Sequence, residues 1–276
     1  MSSDSDNAAR RRFLAVSLSL AAMPAAGFPT LGKEKIQNFG KVYDYLKNGH
    51  LRAKELGSQP VSVENAVFAD ATFQNTSWQY FDFVDCEFTS QYKIKLDWLT
   101  DSTFTNCSFK GIFMFGNAVN VRFIKCSMKG RQHALFLSKS TNLVFEDCKF
   151  INPDLYDYDR VGSVMSRGEI LFMDCMAEGF DLSGHKKLTL RRCTTRGSLL
   201  KAAYPGEYRS EMPYSDYLLE DCDFRGGAYV KNNDLNSLTL RNCKLGVFET
   251  AGSVVKGDVL VENITEGHLD LSASTV

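Results

Sequence analysis

The 276-residue chain is predicted to be all-β, a parallel β-helix of stacked coils, and three observations carry that prediction. Its eight cysteines recur at spacings of 21, 19, 22, 27, 18, 29 and 21 residues. Each cysteine stands in a fixed pattern of apolar neighbours, three residues before it and two after. Gly, Asn and Asp cluster at the residues between those apolar positions, where a chain reversing direction needs backbone freedom. A repeat of this period marks a unit that cannot bury its apolar face alone and must stack on its neighbours.

The pattern holds along most of the chain. It reads FVDCEFTS at Cys86, FTNCSFKG at Cys107, FIKCSMKG at Cys126 and FEDCKFIN at Cys148. It continues with FMDCMAEG at Cys175, LRRCTTRG at Cys193, LEDCDFRG at Cys222 and LRNCKLGV at Cys243. A ninth copy, VENITEG, puts Ile264 in the cysteine slot. Three residues before the slot stand Phe83, Phe104, Phe123, Phe145, Phe172, Leu190, Leu219, Leu240 and Val261. Two after it stand Phe88, Phe109, Met128, Phe150, Ala177, Thr195, Phe224 and Leu245. Cysteine followed by an apolar residue two places on has the period of a strand with one face buried.

Cys222-Asp223-Phe224-Arg225-Gly226, Cys107-Ser108-Phe109-Lys110-Gly111 and Phe180-Asp181-Leu182-Ser183-Gly184 resemble units of the pentapeptide-repeat family. From Ala66 to Ser90 five consecutive units follow that form, and later coils keep two adjacent units while the other sides diverge. The resemblance spans roughly residues 66 to 272. It implies a right-handed coil of about twenty residues, with the small and the large apolar side chains pointing inward. With coils about 4.8 Å apart, nine or ten of them would make a rod on the order of 45 Å long.

Two segments precede the solenoid, which is expected to occupy residues 61–276. Residues 1–30 read as a signal peptide: a polar start, Arg10-Arg11-Arg12-Phe13-Leu14, a short apolar stretch to Ala22, and small residues at Ala25-Ala26-Gly27. Arg-Arg-x-Phe-Leu resembles the twin-arginine export signal, so a periplasmic or secreted location is expected. An ordinary secretory signal is the plainer alternative. Residues 31–60 are expected to form an N-terminal helical cap, because Ile36, Phe39, Tyr43 and Leu46 recur at helical spacing. Such a cap would cover an end whose strand edges otherwise invite pairing. No later stretch is long and apolar enough to span a membrane, and with the first cysteine at Cys86 no lipoprotein anchor is evident.

Eight cysteines in an exported chain raise the prospect of disulfides. If each occupies the same place in successive coils, however, they form a parallel stack. Its Cβ atoms would then lie about 4.8 Å apart, beyond the usual 3.5–4.5 Å of a disulfide. The expected arrangement is a structural ladder of free thiols acting as small buried hydrophobes: Cys86, Cys107, Cys126, Cys148, Cys175, Cys193, Cys222 and Cys243. Some disulfides, or a metal site, are the alternatives; no C-x-x-C pair supports the latter. Export of an already folded chain would deliver those thiols buried, safe from mispairing in an oxidising compartment.

Function is less legible. With 32 basic and 33 acidic residues the chain lacks the footprint of a nucleic-acid binder. The outward columns mix Lys110, Lys129, Arg196 and Arg225 with acids, unlike an acidic, DNA-mimicking rod. The four histidines, His50, His133, His185 and His268, lie in no nucleophile or metal motif. Asp147 and Asp174 share one column and would be the carboxylates of a polysaccharide lyase or hydrolase. That column as a whole reads Asp85, Asn106, Lys125, Asp147, Asp174, Arg192, Asp221, Asn242, Asn263, which points to turn geometry.

Two insertions, residues 152–168 and 199–216, carry Tyr156, Tyr158, Arg160, Tyr204, Tyr208, Arg209 and Tyr214. Tyr and Arg offer rigid contact area with a polar end, the chemistry of binding hot spots. The plain alternative is tolerated surface loops. The expected protein is therefore a non-enzymatic binding scaffold without cofactor, catalytic residue or metal. Its expected partner is another protein, a periplasmic immunity protein's toxin being one case. A glycan bound or cleaved by the β-helix is the alternative.

Overall fold

The computed structural model describes residues 61–69, 76–129, 136–137, 141–151, 169–177, 186–195, 214–229, 234–250, 252–265 and 267–270. The expected signal peptide and helical cap lie outside these residues. Every regular element among them is a strand, and among these described residues no helix is long and apolar enough to cross a membrane. The fold is a parallel β-solenoid. Twenty strands join one continuous sheet, and Ala228–Tyr229, Val247–Glu249 and His268–Asp270 form a second.

The stacking follows the sequence pattern residue for residue. Val63 pairs with Phe83, Phe83 with Phe104, Phe104 with Phe123, Phe123 with Phe145, and Phe145 with Phe172. Phe172 pairs with Leu190, Leu190 with Leu219, Leu219 with Leu240, and Leu240 with Val261. This column is thus ten rungs deep, and the segments between cysteines that differ in length leave it in register. A one-residue slip would turn every core side chain outward, so burial enforces that register.

Two aromatic stacks fill the core. Phe83, Phe104, Phe123, Phe145 and Phe172 lie ring over ring at centroid separations of 4.8, 4.9, 4.9 and 4.8 Å. Phe68, Phe88 and Phe109 form a parallel stack at 4.5 and 4.8 Å. The stacks meet edge to face, as in Phe83–Phe88 at 5.5 Å and Phe104–Phe109 at 5.5 Å. Stacked and edge-to-face contacts each suit the ring quadrupole and add to the burial of large apolar area. Ser102, buried in the column of Phe81 and Val121, accepts a hydrogen bond from the Phe81 amide and donates one to the Thr100 carbonyl. A hydroxyl is tolerated there because both its partners are met.

Corners are made by residues in the left-handed conformation. Asn65, Asp85, Asn106, Lys125, Asp147, Asp174, Arg192, Asp221, Asn242 and Asn263 have φ between 51° and 56°. Each of the first nine donates its amide to a carbonyl of the following rung, from Asn65 to Val84 at 2.9 Å through Asn242 to Glu262 at 3.0 Å. Asn and Asp enter this region at the least cost after Gly, because their short polar side chains bond locally. Gly246 answers a different need, since a Cβ there would meet the Arg225 carbonyl oxygen at 2.1 Å.

Candidate functional site

The most regular feature of the molecule is the cysteine column. All eight cysteines are buried free thiols. Strands on either side fix them: the residue after each slot donates its amide to the carbonyl of the slot one rung earlier. The series runs from Glu87 to Ala66 at 2.8 Å through Thr265 to Cys243 at 3.0 Å. Every sulfur lies 3.2–3.4 Å from the carbonyl two residues before it, from Cys86 with Val84 to Cys243 with Arg241. Most also reach a carbonyl of the preceding rung, such as Cys126 with Phe104 at 3.3 Å and Cys148 with Phe123 at 3.3 Å. The repeated partners place the sulfurs in one orientation along the axis.

Each sulfur is directed at backbone carbonyls, and burial disfavours the charged form of every thiol in the column. The described core holds no buried charged side chain to compensate a thiolate. Adjacent thiolates would also repel, so the resting column is neutral.

The carboxylate column has the turn geometry expected of it. Asp147 and Asp174 both sit at left-handed corners, with φ of 52° and 56°. Asp174 is gripped by Arg192 of the next rung through two hydrogen bonds of 2.7 Å. That contact holds its carboxyl below the usual carboxylate range. Side-chain ladders run along the same corner: Asn106 donates to Asp85, Asn242 to Asp221 at 2.9 Å and Asn263 to Asn242 at 3.0 Å. A second left-handed column, Tyr80, Asp101, Asn120 and Asn142, lies five residues earlier and is absent from the sequence reading. Its ladder runs from Asn120 to Asp101 at 2.9 Å and from Asn142 to Asn120 at 3.0 Å. Asp and Asn in this second column carry the same turn signal as the corner beside the cysteines.

The two insertions themselves lie almost wholly outside the described residues, and only the residues that border them can be placed. The last described residues before the insertions are Ile151 and Thr195, and Phe150, Ala177 and Thr195 are successive partners in one column. The first described residues after them are Glu169 and Tyr214, and Glu169, Lys187 and Asp216 are successive partners in another. The described residues that border the two insertions are therefore in register with one another, two rungs apart. Of the residues singled out on them, Tyr156, Tyr158, Arg160, Tyr204, Tyr208 and Arg209 lie outside the described residues. Tyr214 is described: it is 37% exposed, with the Lys256 Nζ 3.7 Å from its ring centroid. A cation over an aromatic face orders both side chains.

Trp98 is a surface aromatic that sequence reasoning passed over. It is 52% exposed, paired in register with Ser77 and Asn117. It falls outside the cysteine-centred pattern, so the alignment that exposed the repeat passed over it. The outward columns are mixed in sign and paired: Lys110 with Glu87 at 2.8 Å, Arg225 with Asp223 at 3.1 Å, and Arg241 with Glu220 at 3.3 Å and Glu262 at 2.8 Å. Of the four histidines only His268 is described, and it is exposed.

In comparisons with protein-family models, curated proteins and solved structures, none matches this chain. The site is therefore read from its own geometry.

Proposed function

We propose that the chain is an exported, non-catalytic β-solenoid that binds another macromolecule through the flank from which both insertions depart. The observation that carries this reading is the shared registry of the described residues that border the two insertions. On this reading the ladder would present the two Tyr/Arg-rich segments from one side. Rigid scaffolds that display variable segments are the usual way to build a recognition surface. The non-catalytic part is supported by the carboxylates: the corner column has a structural task at every rung, and Asp174 is occupied by Arg192. Within this class a periplasmic immunity protein that neutralises a toxin fits a compact binder sent out by a twin-arginine-type signal.

The exposed Trp98 favours a second reading, a glycan-binding solenoid, because an indole face stacks on sugar rings as it does on other apolar surfaces. One experiment separates the two. Mature protein is used as bait in periplasmic extract of its host, beside the variant Tyr158→Ala/Arg160→Ala/Tyr208→Ala/Arg209→Ala. A stoichiometric protein partner retained by wild type and lost with the variant, at unchanged Tm, is the expected outcome. Capture of the same partner by both proteins would refute the flank. Binding of polysaccharide alone, lost with Trp98→Ala, would move the assignment to glycans.

A further inference from the structure

We propose that adjacent cysteines of the column form two-coordinate sites for a soft univalent d10 cation, silver(I) or copper(I). The dimension comes from the rung repeat. Equivalent atoms of neighbouring rungs are 4.8–4.9 Å apart, as the Phe83, Phe104, Phe123, Phe145 and Phe172 rings record directly. The sulfurs keep one orientation relative to the backbone, so they follow the same repeat. An ion midway between two of them has metal–sulfur distances of about 2.4 Å, close to the ~2.3 Å of a zinc–thiolate bond. Thiolate selects soft ions, and a d10 univalent ion accepts linear coordination by two sulfurs. Silver, the larger ion, spans the gap without the rungs closing, whereas copper requires a slight contraction.

Packing alone does not account for the sulfur. Ala66 fills the same slot at the N-terminal end and is 2% exposed, and Ile264 fills it at the other end. The slot thus accepts plain hydrocarbon, yet eight successive rungs between these two carry a thiol. The site is a pair, so it is compatible with the finding that no three ligating side chains converge among the described residues.

Charge is conserved within the core. The ion forms one bond to each of two sulfurs, one S–H bond breaks, and its proton leaves to solvent. The second sulfur keeps its proton, already directed at a backbone carbonyl, so a pair that began neutral ends neutral and no electron is transferred. Eight cysteines divide into four such pairs: Cys86 with Cys107, Cys126 with Cys148, Cys175 with Cys193, and Cys222 with Cys243. Entry is by local opening of rungs, most readily beside Cys243, where Val261 of the following rung is 37% exposed.

This inference is independent of the partner-binding flank. Its test is titration of the folded mature chain with silver nitrate in oxygen-free, chloride-free buffer. Expected are up to four silver ions per chain, about one proton released per ion, and an X-ray absorption spectrum with two sulfur neighbours at about 2.4 Å. Tm should rise by about 5 °C at saturating ion. The variant Cys107→Ala/Cys148→Ala/Cys193→Ala/Cys243→Ala has no adjacent pair and should lose this uptake. Should it fail to fold, Cys86→Ala/Cys107→Ala should instead lower the stoichiometry from four to three. Silver uptake by the unfolded chain only, a fall in Tm, or unchanged stoichiometry in the variant that folds would overturn the proposal.

Discussion

At the scale of single residues, the corner column sets the limits of what this backbone tolerates. Ten residues share φ of 51–56°, and eight of them are Asn or Asp. Lys125 and Arg192 are the departures, and a side chain without a local hydrogen bond enters this region at a cost of about 1 kcal/mol. Lys125→Asn should therefore stabilise the protein by about 0.5–1 kcal/mol, read from the denaturant midpoint at unchanged slope. It would also stand between Asn106 and Asp147 in the same column. Arg192 answers its own cost by holding Asp174. That carboxyl has a lowered pKa in the folded chain, chiefly through its hydrogen bonds to Arg192, against a value of 3.8 when free. Its contribution is present in full above pH ~4 and is lost as pH falls through the folded-state value. In an NMR titration, Arg192→Gln should move the Asp174 pKa upward toward 3.8. Exposure of the pair keeps the effect on stability small. The turn role of this column was legible in the sequence because eight of its ten positions are Asp or Asn.

At the scale of elements, the phenylalanine stack sets the packing. Phe145 has a ring neighbour above and below, at 4.9 and 4.8 Å, and Phe150 edge-on at 5.5 Å. Truncation to alanine leaves a void between two fixed rungs that cannot collapse, and should cost about 3–5 kcal/mol. Phe145→Leu should cost about 1–2 kcal/mol, since Leu190 and Leu219 already fill the same column. Urea denaturation of the two variants checks both the size and the order. The inward columns were readable because large apolar residues recur three before and two after each cysteine. Contacts between neighbouring rungs were not. Gly246 is required by the Arg225 carbonyl one rung away, and nothing in the local sequence signals that approach. Trp98 stayed hidden for a related reason, as it lies on a side of the coil where the repeat has diverged.

At the scale of the whole molecule, stability is the sum of rungs and of their contacts with immediate neighbours. Its last described rung is the weakest by construction: Leu260 and Val261 are 38% and 37% exposed, while Leu240 one rung earlier is fully buried. The architecture followed from the repeat, because stacking is the one way to bury a face that recurs about every twenty residues. The proposed partner-binding side chains belong to segments with no repeat to constrain them, and all but Tyr214 lie outside the described residues. The thiol column links the scales, since one residue type, at one place in every coil, defines both the core and the inference about soft cations.

The most direct test of this account is a thiol count on the native and the denatured chain. Folded protein should react with a thiol reagent at none of its eight cysteines on the timescale of minutes, and at all eight once unfolded in denaturant without reductant. Rapid reaction of several thiols in the folded state, or fewer than eight after unfolding, would contradict a continuous buried column of free cysteines.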